Sequence, residues 1–147
     1  MNEEYFERVL TEFKIAPAEA HLYSPLVLAY VGDAVYEVFV RTLLVSESNA
    51  PVNKLHKKSI SYVKAKSQSD ILHRIFDSLS QDEQEIVRRG RNAKSGTIPK
   101  NADVTEYKYA TGFESLIGYI YLKRDFSRLT EVLRMSVSGV EEQDKNS

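Results

Sequence analysis

The stretch LVLAYVGDAVYEVFVRTLLV, residues 26–45, is the most apolar part of the sequence and decides the fold. Nearly every position in it is apolar, which predicts a helix that is buried on most of its sides. The residues before it, Ser24 and Pro25, mark where the helix begins, because a hydroxyl caps a first turn and proline suits the first helical position. We therefore expect one helix from Pro25 to about Val45.

Three charged residues interrupt this apolar run: Asp33, Glu37 and Arg41. Their spacing of four residues places them on one stripe of the helix. Central charges are costly in lipid, so we expect a buried helix of a cytoplasmic protein rather than a membrane span. A carboxylate among apolar neighbours needs a partner or a metal ion, because burying an isolated charge is expensive.

The two acids of this stripe differ in the partners that the sequence offers them. Glu37 precedes Arg41 by four residues, which is the favourable orientation for a helical ion pair. Asp33 has no basic residue four positions away, so a metal ligand and a core hydrogen-bond acceptor both remain open for it. Gly32 in mid-helix costs about 1 kcal/mol relative to alanine, and the close approach of another backbone or a ligand would offset that cost.

A second apolar stretch, YATGFESLIGYIYL at residues 109–122, also contains a lone acid, Glu114. This residue either accepts hydrogen bonds from Tyr or Thr hydroxyls in the core or meets Asp33, should the two helices pack side by side. A pair of carboxylates suits Mg²⁺, which prefers oxygen ligands. Such an ion activates water and stabilises charge on a phosphate, so the pair points to phosphodiester hydrolysis.

The rest of the chain also follows a helical pattern, and no segment alternates like a strand. We expect further helices at residues 3–13, 51–66, 67–78, 80–89, 105–122 and 126–137, with Gly90 ending one of them. The segment 91–104 is rich in Gly, Pro and small polar residues, and such long loops are usually functional or disordered. The prediction is a single all-α domain at residues 1–138 with a flexible C-terminal tail at 139–147.

Composition supports one soluble domain. The chain has 147 residues, of which 42% are hydrophobic and 28% charged, and it has no cysteine. The absence of cysteine removes disulfides and thiolate metal sites and fits a reducing compartment. The acidic N-terminus MNEEYFERVL is unlike a signal peptide, which begins with basic residues, so we expect a cytoplasmic location.

The net charge of −1 hides an uneven distribution of charge. No acid occurs between residues 48 and 69 or between residues 86 and 102, although both stretches carry several basic residues. A near-neutral average can therefore contain a basic face that binds nucleic acid, although basic stretches of this kind are also common as solvated surface.

The two acidic motifs together resemble a known family. LAYVGDAVYEVFVR is similar to the signature helix of ribonuclease III domains, and ATGFESLIGYIYL resembles the second acidic helix of that family. The resemblance covers roughly residues 20–135. It implies the all-helical ribonuclease III endonuclease fold, a dimer, and a metal-dependent endoribonuclease that cleaves double-stranded RNA with Mg²⁺, for which Mn²⁺ can substitute.

Residue by residue, Asp33 and Glu114 match catalytic metal ligands of the family. Two other family acids are replaced here, by Ala29 and Thr111. This departure leaves open a non-catalytic RNA-binding or ribosome-assembly factor on the same fold. The same departure resembles the Mini-III branch, which lacks those acids and still cleaves. The loop sequence RRGRNAKSG is similar to that branch as well. The two small side chains leave space for water, so we expect fewer protein ligands and weaker metal binding.

The resemblance further implies an RNA partner, namely precursor large-subunit ribosomal RNA whose ends are matured, with ribosomal proteins as further candidate partners. Duplex RNA is contacted through its phosphates and 2′-hydroxyls. The side chains expected to make those contacts are Arg88, Arg89, Arg91, Asn92, Lys94 and Lys57. The apolar surplus of residues 26–45 also suits a homodimer, because two-fold pairing covers a face that one small domain leaves open.

Overall fold

The computed structural model describes residues 3–16, 19–94 and 97–145. Within these ranges the chain is helical and has no strand, which confirms the predicted all-α class. The α-helices are α1 (Glu3–Glu12), α2 (Pro25–Glu47), α3 (Val52–Val63), α4 (Ala65–Ile75), α5 (Gln81–Asn92), α6 (Val104–Leu122) and α7 (Phe126–Lys145). Short 3-10 turns occur at Ala20–Leu22 and Phe76–Ser78.

Local signals in the sequence set where helices begin. Ser24 caps α2 by accepting a hydrogen bond of 3.3 Å from the backbone N–H of Val27, as predicted. Ser80 and Glu83 form a reciprocal capping box at α5, with hydrogen bonds of 2.8 and 3.2 Å. Each cap satisfies backbone donors that the first helical turn leaves without partners.

The core is built around α6, which packs against α2, α4 and α5. From Gly112 onward α6 is buried on almost all sides, and Phe113, Leu116 and Ile117 are fully enclosed. Such a helix shows no polar face, which explains why the sequence around Glu114 is apolar throughout. The position of Glu114 is therefore set by the most buried helix of the protein.

Helices α2 and α6 touch through their backbones at two glycines. A methyl group on Gly32 would collide with the carbonyl oxygen of Glu114, and one on Gly118 would collide with the carbonyl oxygen of Leu28. The expectation that another backbone approaches Gly32 is confirmed. Because Gly32 and Glu114 are in contact here, the crossing places Asp33 next to the same stretch of α6.

Helix α2 is exposed along one face, contrary to the expectation of burial on most sides. Leu28, Tyr36 and Val40 are buried in the core, but 82% of Tyr30 and 61% of Val38 are exposed. None of the helices in the described ranges combines the length and apolar character needed to cross a bilayer. The apolar surplus of α2 is thus divided between a core face and a solvent face.

The prediction that Gly90 ends α5 was wrong, since α5 continues to Asn92. A methyl group on Gly90 would lie 2.9 Å from Cβ of Ser115 and 3.0 Å from Cα of Gly112. Gly90 is therefore a packing residue that lets α5 approach α6, and a sequence pattern does not distinguish this role from a helix stop. The loop that follows was expected at 91–104, and its residues 95 and 96 lie outside the described part.

The last helix is longer than expected. We predicted its end at about Val137, but α7 continues to Lys145, and Val140 is 5% exposed. Arg74 donates hydrogen bonds to the carbonyls of Met135 and Ser136, at 3.2 and 3.0 Å, and so ties α4 to α7. Of the tail expected at 139–147, residues 139–145 are helical, while residues 146 and 147 lie outside the described part.

The glycine crossing leads to a stability prediction. In a free helix Gly32→Ala would be favourable by about 1 kcal/mol. At this contact we expect it to destabilise the protein by about 2–4 kcal/mol, because the two backbones must separate. Urea unfolding followed by circular dichroism measures the change. Lys108→Gly, at an exposed position of α6, serves as the control and should cost only about 1 kcal/mol. A Gly32→Ala protein as stable as wild type would contradict the crossing.

Candidate active site

Asp33 and Glu114 meet at the crossing of α2 and α6. Their carboxyl groups lie within hydrogen-bonding reach of each other. Asp33 is exposed, whereas Glu114 is partly buried, so the pair opens to solvent on one side. The structure thus brings together the two acids that the sequence singled out from separate helices.

The surroundings of Glu114 favour its protonated form. Burial is the largest cause, followed by the negative charge of Asp33, the hydrogen bond to Asp33 and the charge of Glu37, and together they raise the pKa of Glu114 to about 8. Near neutral pH, and with no cation bound, Glu114 therefore keeps its proton. A cation placed between the carboxyl groups would reverse this preference, because opposite charge stabilises the ionised form.

Glu37 forms the ion pair that the sequence indicated. Its Oε2 accepts a hydrogen bond of 3.2 Å from Nε of Arg41, one turn further along α2. The charge of Glu37 also acts on Glu114, so Glu37 belongs electrostatically to the same cluster. The side of α2 that carries Asp33 therefore also carries Glu37 and its ion-pair partner Arg41.

Ala29 and Thr111 occupy the two positions where the family resemblance predicts acids, and both side chains are small and uncharged. Ala29 is 9% exposed, and the hydroxyl of Thr111 donates a hydrogen bond of 3.0 Å to the carbonyl of Tyr107. Thr111 lies three residues before Glu114 and so on the same face of α6. Its hydroxyl proton is already used in the hydrogen bond to Tyr107. Neither residue offers a charged ligand, which leaves Asp33 and Glu114 as the acidic pair.

This pair fits Mg²⁺ better than it fits a metal held entirely by protein. In the described ranges no three His, Cys, Asp or Glu side chains converge as a metal cage. Mg²⁺ usually retains several waters and is bound through one or two carboxylates together with substrate phosphates. Two carboxyl groups in contact, one of them with a raised pKa, are a donor set that a divalent cation would stabilise.

The basic residues at the end of α5 differ in how firmly their side chains are held by the rest of the protein. Arg89 donates hydrogen bonds to the carbonyls of His21 and Tyr23, at 3.1 and 3.3 Å, and so joins α5 to the segment before α2. Arg91 lies over the ring of Tyr109 at 5.6 Å, and its Nε donates to Asn92 at 3.5 Å. Arg89 therefore has a structural task, while Arg91 is held in place by an aromatic ring.

The other expected RNA contacts lie at the surface. Arg88 pairs with Glu85 at 3.7 Å and lies 5.6 Å from the ring centre of Phe76. Lys94 and Lys57 are exposed, Lys94 just after α5 and Lys57 on α3. Arg88, Arg91 and Lys94 thus surround the end of α5, whereas Lys57 lies on a different helix.

Sequence reasoning missed two features of this region. Tyr109 supports Arg91 and also stacks on His73 with ring centres 4.2 Å apart, and nothing in the local sequence links these three residues. The exposed Tyr30 on α2 was treated as part of a buried run. Its spacing from Val27 and Val38 puts all three on one face, and that signal was present in the sequence.

Comparison with known proteins places the chain in a family. The pattern of the Ribonuclease III domain matches residues 26–125. A Mini-ribonuclease 3 from Thermoanaerobacter sp. (strain X514) is 56% identical over 119 residues, covering 81% of this chain and 84% of that protein. A Mini-ribonuclease 3 from Clostridium tetani is 48% identical over 124 residues, covering 84% of this chain and 82% of that protein.

A solved structure agrees with these relatives. A crystal structure of a protein from Fusobacterium nucleatum superimposes with a TM-score of 0.73 at 32% sequence identity, covering 80% of this chain and 94% of that one. The chain belongs to the ribonuclease III domain family. Its similarity to several Mini-ribonucleases 3 confirms the branch that the two acidic motifs and the loop sequence indicated.

The raised pKa of Glu114 predicts a pH-dependent effect on stability. An unfolded glutamate ionises near pH 4.5, but in the folded protein Glu114 keeps its proton up to about pH 8. The folded state thus binds the proton more tightly, and stability falls as the pH rises from 4.5 to 8. Glu114→Gln removes this penalty, so we expect little change at pH 5 and a gain on the order of 1–3 kcal/mol at pH 8.5.

Thermal and urea unfolding in metal-free buffer at the two pH values measure this gain. Asp33→Asn provides the matched background, because the charge of Asp33 is part of the cause. The gain from Glu114→Gln should be smaller when Asp33 is already Asn. An equal gain in both backgrounds, or no gain at pH 8.5, would argue against the coupled pair.

Proposed function

We propose that this chain is a metal-dependent endoribonuclease that hydrolyses double-stranded RNA, with Asp33 and Glu114 as its catalytic metal ligands. The observation that carries the proposal is the meeting of these two carboxyl groups at the crossing of α2 and α6. Membership of the ribonuclease III domain family supports RNA hydrolysis as the reaction. The replaced acids at Ala29 and Thr111 favour one alternative, a non-catalytic RNA-binding or ribosome-assembly factor.

Asp33, Glu114 and Gly32 have separate roles at the proposed metal site. When bound, Mg²⁺ or Mn²⁺ supplies an activated water and stabilises the charge that develops on the phosphate. Asp33 offers an exposed carboxylate, and Glu114 offers a partly buried one that gives up its proton in favour of the cation. The backbone contact at Gly32 keeps both groups in one place, so little ordering is needed before the reaction.

The basic end of α5 is the proposed RNA contact. Arg88, Arg91 and Lys94, with Asn92, can reach phosphates and 2′-hydroxyls of an A-form duplex, whose base edges are hidden in a deep groove. Tyr109 limits the motion of Arg91 and thereby lowers the entropy lost on binding. Lys57 on α3 is a separate candidate, and Arg89 holds the scaffold together instead.

The proposed substrate is precursor large-subunit ribosomal RNA, whose ends the enzyme would mature in the cytoplasm. This finer proposal comes from the resemblance to the Mini-III branch, and the similar curated relatives support that branch. Ribosomal proteins that present the RNA are candidate partners on the same ground. No base contacts are needed for this substrate class, because the shape and phosphates of a duplex suffice for recognition.

A homodimer is the proposed assembly, and the exposed face of α2 supports it. This face carries Tyr23, just before α2, and then Val27, Tyr30, Val38 and Val45 at intervals of three to eight residues; all five are 41–82% exposed. An apolar stripe this long on the surface is typical of a protein interface. Small soluble proteins usually cover such a face by two-fold pairing.

The geometry of the stripe indicates how two copies would pair. Two antiparallel α2 helices centred on Ala34 place Tyr30 against the partner's Val38. An apolar groove of about 310 Å³ lies beside Val38 and is lined in part by Val35, Phe39 and Leu133. The ring of Tyr30 would fill the groove of the other copy in both directions, as an isologous interface requires. Each dimer would then carry two sites, one for each RNA strand.

The cleavage assay tests the proposed reaction. Wild-type protein should cut a duplex RNA only with Mg²⁺ or Mn²⁺, and Asp33→Asn and Glu114→Gln should lower the rate by at least ~100-fold, because each removes a ligand charge. RNA binding should remain, since neither residue belongs to the basic end of α5. Asp70→Asn alters an acid in an ion pair on α4 and serves as the matched control. Wild-type protein that binds duplex RNA and never cuts it would favour the non-catalytic alternative.

The dimer has its own test. Tyr30→Asp places a charge in the proposed apolar contact, so we expect a shift from dimer to monomer with a loss of affinity between copies of about 100-fold or more. Analytical ultracentrifugation over a range of concentrations measures the change. Val104→Asp alters an exposed apolar residue on α6 and should leave the mass unchanged. A Tyr30→Asp protein that remains dimeric would contradict pairing through α2.

A further inference from the structure

Glu37 lies one turn beyond Asp33 on the same side of α2. Its Oε2 is held by Nε of Arg41 at 3.2 Å, and no described contact engages its Oε1. The side chain of Arg41 is 71% exposed, while that of Glu37 is 30% exposed. Glu37 is thus the less exposed member of the pair, and it lies on the side of α2 that carries Asp33.

Stability alone does not account for an acid at this position. An exposed helical ion pair contributes little to stability, because water and side-chain entropy oppose it. Glu37 also lies one turn from Asp33 on the same side of α2, and like charges at this spacing repel each other. An uncharged side chain at position 37 would relieve that repulsion. The arrangement therefore has the character of a functional site, in which unfavourable charge is kept for a ligand.

We propose that Glu37 is a positioning residue of the metal site, which adds a third negative charge and accepts hydrogen bonds from water in the outer shell of the ion. Arg41 fixes the direction of its carboxylate by engaging Oε2. The inference rests on the proposed function, because it needs a cation at Asp33 and Glu114. We assign Glu37 to this outer position because no three His, Cys, Asp or Glu side chains converge in the described ranges.

The position of Glu37 on α2 compensates for an acid that is replaced on the other side of Asp33. Ala29 lies one turn before Asp33, at a position where the family resemblance predicts an acid, and Glu37 lies one turn after it. A negative charge missing on one side of Asp33 is thus present on the other. Mg²⁺ keeps several waters, and groups that bind those waters from the outer shell tune metal affinity by 10–100-fold. Glu37 is placed to do this without entering the inner shell.

The test is Mn²⁺ binding to the RNA-free protein, measured by electron paramagnetic resonance of the free ion at pH 7.5. Glu37→Gln keeps an acceptor for Arg41 and removes the charge, so we expect Mn²⁺ to bind about tenfold more weakly. Glu37→Asp, which keeps the charge on a shorter arm, should recover part of the loss. Asp70→Asn removes the acid of a matched pair with Lys66 on α4 and should change binding less than twofold.

Two further variants separate the possible failures. Arg41→Gln leaves the charge of Glu37 in place and should cost less affinity than Glu37→Gln; equal losses would mean that the pair is only a structural unit and would overturn the inference. Asp33→Asn should abolish Mn²⁺ binding. Loss with Asp33→Asn but none with Glu37→Gln would overturn the role of Glu37 and leave the proposed site standing. Unchanged binding in Asp33→Asn would overturn both.

Discussion

The direct contact of α2 and α6 through their backbones governs most of this structure. Side chains at Gly32 and Gly118 would separate the helix axes, so glycine at both positions sets the distance between the helices. That distance in turn decides whether Asp33 and Glu114 touch or remain apart. The flexibility cost of glycine in a helix is offset by the burial of α6, whose central turns contact neighbours on almost every side.

The chemistry of the site and the stability of the fold oppose each other around Glu114. Its helix is the most enclosed of the protein, and a neutral residue would be the cheaper occupant of its position. Burial and like charge raise its pKa to about 8, so keeping an acid at this position costs stability that a neutral residue would not. The exposed side of Asp33 gives that group access to solvent.

The sequence allowed prediction of the features that depend on local chemistry. The caps at Ser24 and Ser80, the all-helical class and the two lone acids follow from residue types at fixed spacing. Features that depend on a distant neighbour did not follow. Gly90 looks like a helix stop unless Ser115 is known to lie against it, and Arg89 looks like a free cation unless its carbonyl partners are known. The exposed face of α2 was missed because apolar composition alone does not distinguish a buried face of a helix from an exposed one.

The bonds from Arg89 to the carbonyls of His21 and Tyr23 have a mechanical consequence. They fasten the basic end of α5 to the turn that leads into Ser24 and α2. The basic end of α5 and the start of the helix that carries Asp33 are therefore held together as one unit, and the proposed RNA contact is connected to the acid pair through Arg89.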